Sequence, residues 1–192
     1  REIALFALLQ LLRNDTDQAL AQWHKVKNRL PASDQSYFLV KLGYRAAMRH
    51  DARALGWFKE AQNGPQPYPA SDKALGWHVR AALRARNWDE VLAAIKRMSS
   101  AEQQFDSWRY WKARALSEKK QASDARQILA SLSEEHSFYG QLAKEELGKE
   151  LYFIDKAYQV NDREVSAMSQ RPGIRRALAF ARMQLRTEAY HE

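Results

Sequence analysis

The chain has 192 residues, a formal net charge of +8 and no cysteine, which excludes a disulfide framework and thiolate metal sites. Hydrophobic residues make up 45% of it, enough for a continuous core and well above the content of disordered chains. The 31 Lys and Arg residues against 23 Asp and Glu leave two interpretations open, a solvated basic surface or a polyanionic partner. Nucleic acid and anionic cell-wall polymer are both candidates for such a partner.

A long apolar run, IALFALLQLL, occupies residues 3–12. It is about half as long as a bilayer-spanning helix. It also lacks the basic segment and the small-residue cleavage site of a signal peptide. We therefore predict a buried helix here. Because the chain begins inside this helix and without an initiator Met, we expect a mature or excised fragment.

Helical hairpins recur along the chain at a regular spacing. Asp34, Asp72 and Asp106 lie 34 to 38 residues apart, and each precedes an aromatic-bearing helix, a polar turn and a second apolar stripe. A period in this range with helix–turn–helix units is typical of tetratricopeptide-like repeats. The chain is therefore predicted to be all-α, a superhelical α-solenoid of tetratricopeptide-like helical hairpins.

The regular spacing ends near Gly148, and we divide the chain there. Residues 1–148 are predicted to form the array of helical hairpins. Residues 151–154, LYFI, are predicted to be a short strand or an extended strap, and a helix is predicted over 174–183. We expect 149–192 to continue the superhelical domain and to be truncated before its end.

Three segments in the second half of the array carry a family resemblance. They are WRYWKARA at 108–115, ARQIL at 125–129 and FYGQLAKEELG at 138–148. In this order and spacing they resemble the soluble lytic murein transglycosylases of Gram-negative bacteria. The segments 172–179 and 185–189 are similar to the continuation of the same family. In that family such residues lie in a long superhelical domain ahead of the catalytic domain.

The resemblance implies a scaffold role for this chain. Enzymes of the family cleave the MurNAc–GlcNAc β-1,4 bond without water and leave a 1,6-anhydro-muramoyl end. Their catalytic Glu, followed by Ser, lies in a lysozyme-like C-terminal domain with a downstream Gly-Leu-Met-Gln-type motif. This sequence contains neither Glu-Ser nor Gly-Leu-Met, so no catalytic residue is assigned to it. The implied role is a non-catalytic part of a periplasmic enzyme, which forms a ring or horseshoe around the glycan.

The implied partners are peptidoglycan strands, through weak electrostatic contacts, and the catalytic domain of the same enzyme. A different class of function is also open, a free-standing helical-repeat adaptor that binds a protein partner in its concave face. A basic solenoid that binds nucleic acid is the less favoured third interpretation.

Two basic tracts are the candidate surface for an anionic polymer or for domain docking. Each lies in a stretch that has no acidic residue. The first tract is Lys73, Arg80, Arg84 and Arg86, and the second is Arg171, Arg175, Arg176, Arg182 and Arg186. If the helix continues, Arg175, Arg182 and Arg186 share one of its faces. The alternative role is solubility and charge complementarity at helix C-termini.

No metal, cofactor or nucleophile is predicted. The five histidines are isolated, without the spacing of metal ligands, and we place them at the surface or at helix caps. A glycine-rich phosphate loop and a G-x-S-x-G elbow are both missing from the sequence. The pairs Glu134-Glu135 and Glu145-Glu146 are candidate acids by residue type only, and we expect them on solvated faces.

The six tryptophans could stack on sugars, but most fall on apolar stripes and are predicted to pack in the core. Trp111 is predicted to be a core residue shared between helices. Trp77 and Trp88 fit the stripes least well, and we expect them to be the most exposed.

Overall fold

The computed structural model describes residues 2–150 and 159–192. Every regular element in these ranges is a helix, which confirms the predicted all-α class. The chain forms two compact units, Arg1–Leu151 and Tyr152–Glu192. The strand or strap predicted at 151–154 lies outside the described residues.

The first unit consists of short helices joined by turns and, at residues 64–71, by a longer loop. These helices are α1 (Glu2–Asn14), α2 (Thr16–Val26), α3 (Ala32–Met48), α4 (Ala54–Asn63), α5 (Asp72–Arg84), α6 (Trp88–Lys96), α7 (Ser100–Gln103), α8 (Asp106–Glu118), α9 (Ala122–Leu132) and α10 (Phe138–Glu146). Helix α3 packs on α4, α5 on α6, and α8 on α9, as helical hairpins. Neighbouring hairpins meet where α3 contacts α5 and α6 contacts α8. The predicted solenoid of helical hairpins packed in chain order is thus confirmed.

The turn inside each hairpin has the same backbone geometry. His50, Arg86 and Lys120 have φ values of 61°, 50° and 62°. The residue that follows each of them donates its N–H to the carbonyl five residues earlier, at 2.9 to 3.0 Å. This is the Schellman arrangement that closes a helix C-terminus. This arrangement recurs every 34 to 36 residues, so the backbone has the same repeat as the sequence.

Polar side chains start several of the helices. Asp15 accepts the N–H groups of Asp17 and Gln18 at 2.8 and 2.9 Å and begins α2. Ser137 accepts the N–H of Gly140 at 3.1 Å and begins α10. Each of these bonds satisfies a helix donor that has no partner within the helix.

Three clusters form the core of the first unit. In the first cluster the Trp23 ring stacks on Phe38, with centroids 4.7 Å apart. The second cluster lies between α5, α6 and α8, and the third between α8, α9 and α10. Trp111 is half-buried and packs against both the second and the third cluster, as predicted for a residue shared between helices.

The first helix is only half covered. Leu8 and Leu12 are buried in the first cluster, whereas Ile3 and Phe6 are exposed. The prediction of a buried helix at 3–12 was therefore too broad. One face of α1 packs against α2 and α3, and no described residue covers the other face.

The second unit contains α11 (Asp162–Ser169), α12 (Pro172–Arg182) and α13 (Arg186–His191). Helix α11 begins with a reciprocal capping box between Asn161 and Glu164. Helices α12 and α13 form a hairpin whose turn residue, Gln184, has φ 61°. Every residue from 159 to 192 is at least partly exposed.

Candidate ligand-binding surface

Three members of the first basic tract lie on one face of α5. Lys73, Arg80 and Arg84 follow the helical spacing i, i+7 and i+11, with Trp77 at i+4. The three cations are exposed and Trp77 is half-buried. The opposite face of α5 is buried in the core. The alternation of these two faces along the sequence therefore places the cations at the surface.

Arg80 is held between two indole rings. Its guanidinium carbon lies 5.1 Å from the ring centroids of both Trp77 and Trp108. A cation over an aromatic face is stabilised by the ring quadrupole. Gly76 allows this contact, because a Cβ atom there would lie 3.0 Å from Trp108 Cζ2. The charge of Arg80 is thus fixed in position by α5 and α8.

Arg84 has a structural contact of its own. Its Nη1 donates to the carbonyl of Ala47 near the end of α3, at 3.3 Å. A cation at a helix C-terminus complements the helix dipole, which was the alternative role considered for these tracts. The side chains of Lys73 and Arg86 make no hydrogen bond or ion pair with any described residue. Within this tract, Lys73 and Arg86 are therefore the cations available to a ligand.

The second basic tract lies in the second unit. Arg176 pairs with Glu192 at 2.7 Å, and the other four arginines are exposed. Arg175, Arg182 and Arg186 were expected on one helical face only if the helix continued, and it does not, because α12 ends at Arg182 and Arg186 begins α13. The physical reason is the left-handed turn at Gln184, which closes the helix.

The four candidate carboxylates lie in exposed or paired environments. Glu135 forms an ion pair with Arg109, and Glu146 forms one with Arg114 and accepts from Tyr110 Oη at 3.2 Å. The hydrogen bond from Lys149 holds the pKa of Glu134 below its usual range, with contributions from the Lys149 charge and from Ser133. A general acid at neutral pH needs the opposite shift, a raised pKa.

His78 contradicts the surface position predicted for the histidines. Its side chain is 1% exposed, and its Nε2 lies 3.1 Å from Glu90 Oε2. Burial, and then the charges of Arg97 and Lys59, lower the pKa of His78 to about 4. The sequence carried a signal for this position, since His78 lies three residues after Leu75 and four before Ala82 on the apolar stripe of α5.

Two further properties concern the part of the chain that the structure describes. Residues 2–150 and 159–192 contain no group of three His, Asp or Glu side chains placed to hold a metal ion. In the same ranges, no helix is both long and apolar enough to cross a bilayer.

The sequence was compared with those of known proteins. No family model matches the chain. It is 33% identical over 99 residues to the soluble lytic murein transglycosylase of Escherichia coli K12, a match that covers 51% of this chain and 15% of the relative. The enzyme of the same name from Salmonella typhimurium is 36% identical over 100 residues, with the same coverage.

A solved structure agrees in fold over almost the whole chain. An inactive mutant of the lytic transglycosylase Slt from Pseudomonas aeruginosa matches with a TM-score of 0.73 and 24% identity. The match covers 95% of this chain and 30% of that structure. The region of this chain that matches the curated relatives thus corresponds to about a seventh of their length. As its sequence motifs predicted, about half of this chain is similar in sequence to proteins named as soluble lytic murein transglycosylases.

Proposed function

We propose that this chain is a non-catalytic superhelical scaffold of a periplasmic lytic transglycosylase and that its exposed cations contact peptidoglycan. The observation that carries the proposal is the similarity over half the chain to proteins named as soluble lytic murein transglycosylases. In this proposal residues 1–148 are the hairpin array and 149–192 continue it. The parent enzyme would cleave the MurNAc–GlcNAc bond in its own catalytic domain.

The environment of the carboxylates supports a non-catalytic role. Glycoside cleavage needs a carboxylic acid that keeps its proton near neutral pH. Glu135 and Glu146 are bound to arginines, and the pKa of Glu134 is lowered. The lowered pKa keeps Glu134 ionised at neutral pH, and an ionised carboxylate cannot donate a proton to a leaving sugar. The Glu-Ser pair that accompanies the family's catalytic residue is also missing from the sequence.

The charge of the first unit supports contact with the cell wall. Peptidoglycan carries carboxylates on its muramic acid and its stem peptides. Lys73 and Arg86 are exposed cations that form no ion pair among the described residues, and Arg80 is fixed between two indoles. An exposed ion pair contributes about 1 kcal/mol at most, so retention on the polymer needs several of them. The proposed binding is therefore weak and salt-sensitive.

Sedimentation with purified sacculi tests this proposal. The wild-type chain should co-sediment at low salt, should be released as salt rises, and should liberate no anhydro-muropeptides detectable by chromatography. A chain that stays in the supernatant at low salt would overturn the binding role. Release of anhydro-muropeptides, abolished by Glu145→Gln or Glu135→Gln, would overturn the non-catalytic assignment.

A protein-binding adaptor is the second candidate function. A groove of about 650 Å³ between α11 and α12 favours it, because Val165, Met168, Ile174 and Leu178 line it and are exposed. Apolar patches of this kind often mark protein contacts. Met168→Glu should abolish such a contact and leave sedimentation with sacculi unchanged.

A further inference from the structure

The residue at the left-handed position is basic in three successive turns of the first unit. His50, Arg86 and Lys120 hold it, each with a positive φ. Glycine or asparagine is the usual choice there, because a Cβ atom at positive φ costs conformational energy. Two cations, Arg86 and Lys120, and one histidine thus occupy three equivalent and unfavourable positions along one edge of the unit, which we call the turn edge.

The three turns adjoin one another. The hydrogen bond from Arg84 to the Ala47 carbonyl joins the end of α5 to the end of α3. The second and third turns then share an open cavity of about 520 Å³, lined by residues 85–89 and 118–120. The turn edge is therefore a continuous surface with a cavity at its second and third turns.

The charges around this cavity are not balanced. Lys119 Nζ pairs with the carboxylate of Asp89. The side chains of Arg86 and Lys120 have no hydrogen-bond or ion-pair partner among residues 2–150 and 159–192. Glu118 is the remaining carboxylate of the lining. Two unpaired cations thus face one carboxylate, and the cavity favours an anion.

Trp88 gives the cavity an apolar wall. It is the first residue of α6, and it is half-buried with part of its indole packed against the second core cluster. Trp88 also lines the cavity, together with Arg86 and Lys120. An aromatic face packs against the C–H groups of a sugar ring, and an arginine binds a carboxylate with two parallel hydrogen bonds. The combination suits a sugar that carries a carboxylate.

We propose that the cavity around Trp88 binds one acidic sugar unit of a linear polysaccharide. In this assignment the sugar ring stacks on Trp88, and its carboxylate lies between Arg86 and Lys120. The proposal rests on the proposed contact with peptidoglycan and deepens it, because the lactyl carboxylate of N-acetylmuramic acid is the group that the cavity would recognise.

The indole N–H resonance of Trp88 in an NMR spectrum tests the site directly. Trp88→Phe assigns the resonance by its disappearance and keeps an aromatic ring against the core. Titration with the GlcNAc–MurNAc disaccharide should shift this resonance and leave that of the buried Trp23 unmoved. The GlcNAc–GlcNAc disaccharide, which lacks the carboxylate, should shift it at least several-fold less at equal concentration.

Charge removal tests the role of the two cations. The double variant Arg86→Gln, Lys120→Gln should bind the acidic disaccharide about three- to tenfold more weakly, as expected for the loss of two exposed ion pairs. Glutamine suits the left-handed position, since Gln184 occupies the equivalent place between α12 and α13. The matched control Lys25→Gln, Arg29→Gln removes the same charge from exposed residues of another region and should bind like wild type.

The outcomes separate this proposal from the proposed function. If the disaccharide leaves Trp88 unmoved while wild type still sediments with sacculi, the cavity assignment is wrong and the scaffold role stands. If wild type does not sediment but the disaccharide shifts Trp88, the cavity stands and the peptidoglycan scaffold fails. If both double variants bind the acidic disaccharide equally weakly, the net charge of the chain and not the cavity accounts for binding, and the cavity assignment is wrong. A larger shift with duplex DNA at the same salt would overturn the acidic-sugar assignment in favour of nucleic acid.

Discussion

The imidazole ring of His78 lies parallel to the phenyl ring of Phe58, with centroids 4.6 Å apart and an angle of 6° between the planes. This contact joins α5 to α4 inside the first unit. Burial and nearby cations keep the imidazole neutral, with its pKa lowered to about 4 from an ordinary value of 6.5. The neutral ring donates to Glu90 and packs as an aromatic residue.

The pKa of His78 predicts an acid-sensitive fold. The pKa of His78 is lower in the folded chain than in the unfolded chain, so the unfolded chain binds more protons between pH 6.5 and pH 4. The free energy of unfolding therefore decreases as the pH is lowered through this window. We expect a loss of about 2 kcal/mol between pH 7.5 and pH 5. Urea unfolding at the two pH values measures it.

His78→Gln is the matched variant, because glutamine keeps a donor for Glu90 and does not titrate. The difference in unfolding free energy between the two pH values should shrink by about the same 2 kcal/mol. His24→Gln, at an exposed site, should retain the wild-type difference. An unchanged pH dependence in His78→Gln would show that other groups cause the acid sensitivity.

Trp111 should contribute strongly to stability, because it packs against two core clusters. Truncation of a fully buried tryptophan to alanine costs about 3–5 kcal/mol of stability. Because Trp111 is half-buried, we expect Trp111→Ala to cost about 3 kcal/mol. Chemical unfolding of Trp111→Ala measures this cost. Tyr190 is 89% exposed, so Tyr190→Ala is the control and should change stability little. Equal stability of the two variants would contradict the shared packing.

Substitution of two glycines by alanine should change the stability of the fold in opposite directions. A Cβ atom at Gly140 would lie 2.2 Å from the carbonyl oxygen of Glu135, so Gly140→Ala must displace backbone and should cost more than about 2 kcal/mol. A Cβ atom at Gly56 in α4 would meet nothing within 4 Å, so Gly56→Ala should stabilise by up to about 1 kcal/mol. Thermal unfolding of both variants, compared at equal pH, gives the two signs.

The turn residue Lys120 should be more stable as glycine. Its φ of 62° is strained for a side chain with a Cβ atom, and glycine relieves that strain while it loses more chain entropy on folding. We expect Lys120→Gly to raise the free energy of unfolding by up to about 1 kcal/mol. Lys120→Ala keeps the Cβ atom and removes the charge, and it should give no gain. If Lys120→Ala were also more stable than wild type, removal of the charge and not relief of backbone strain would explain the gain.

The helices and their order could be predicted from the sequence because they depend on near neighbours. Apolar residues at helical spacing predicted the hairpins, and Ser137, which begins α10, is one of the residue types that commonly cap a helix start. The spacing of the acidic residues that open the hairpins predicted the repeat that the backbone turns display. The 3.6-residue period and the unpaired N–H groups at a helix start act within a few residues of the chain, so a single sequence carries them.

Contacts between hairpins were decided only by the tertiary structure. Arg80 lies between Trp77 and Trp108, and the second of these is 28 residues further along the chain. His78 is buried by Phe58 of α4 and Glu90 of α6. The sequence of α5 alone does not determine whether His78 is buried or lies at the edge of the apolar face. The cavity at Trp88 combines two turns that lie about 30 residues apart. Burial and charge pairing depend on which faces meet across the hairpins, and helical periodicity within one segment does not specify that partner.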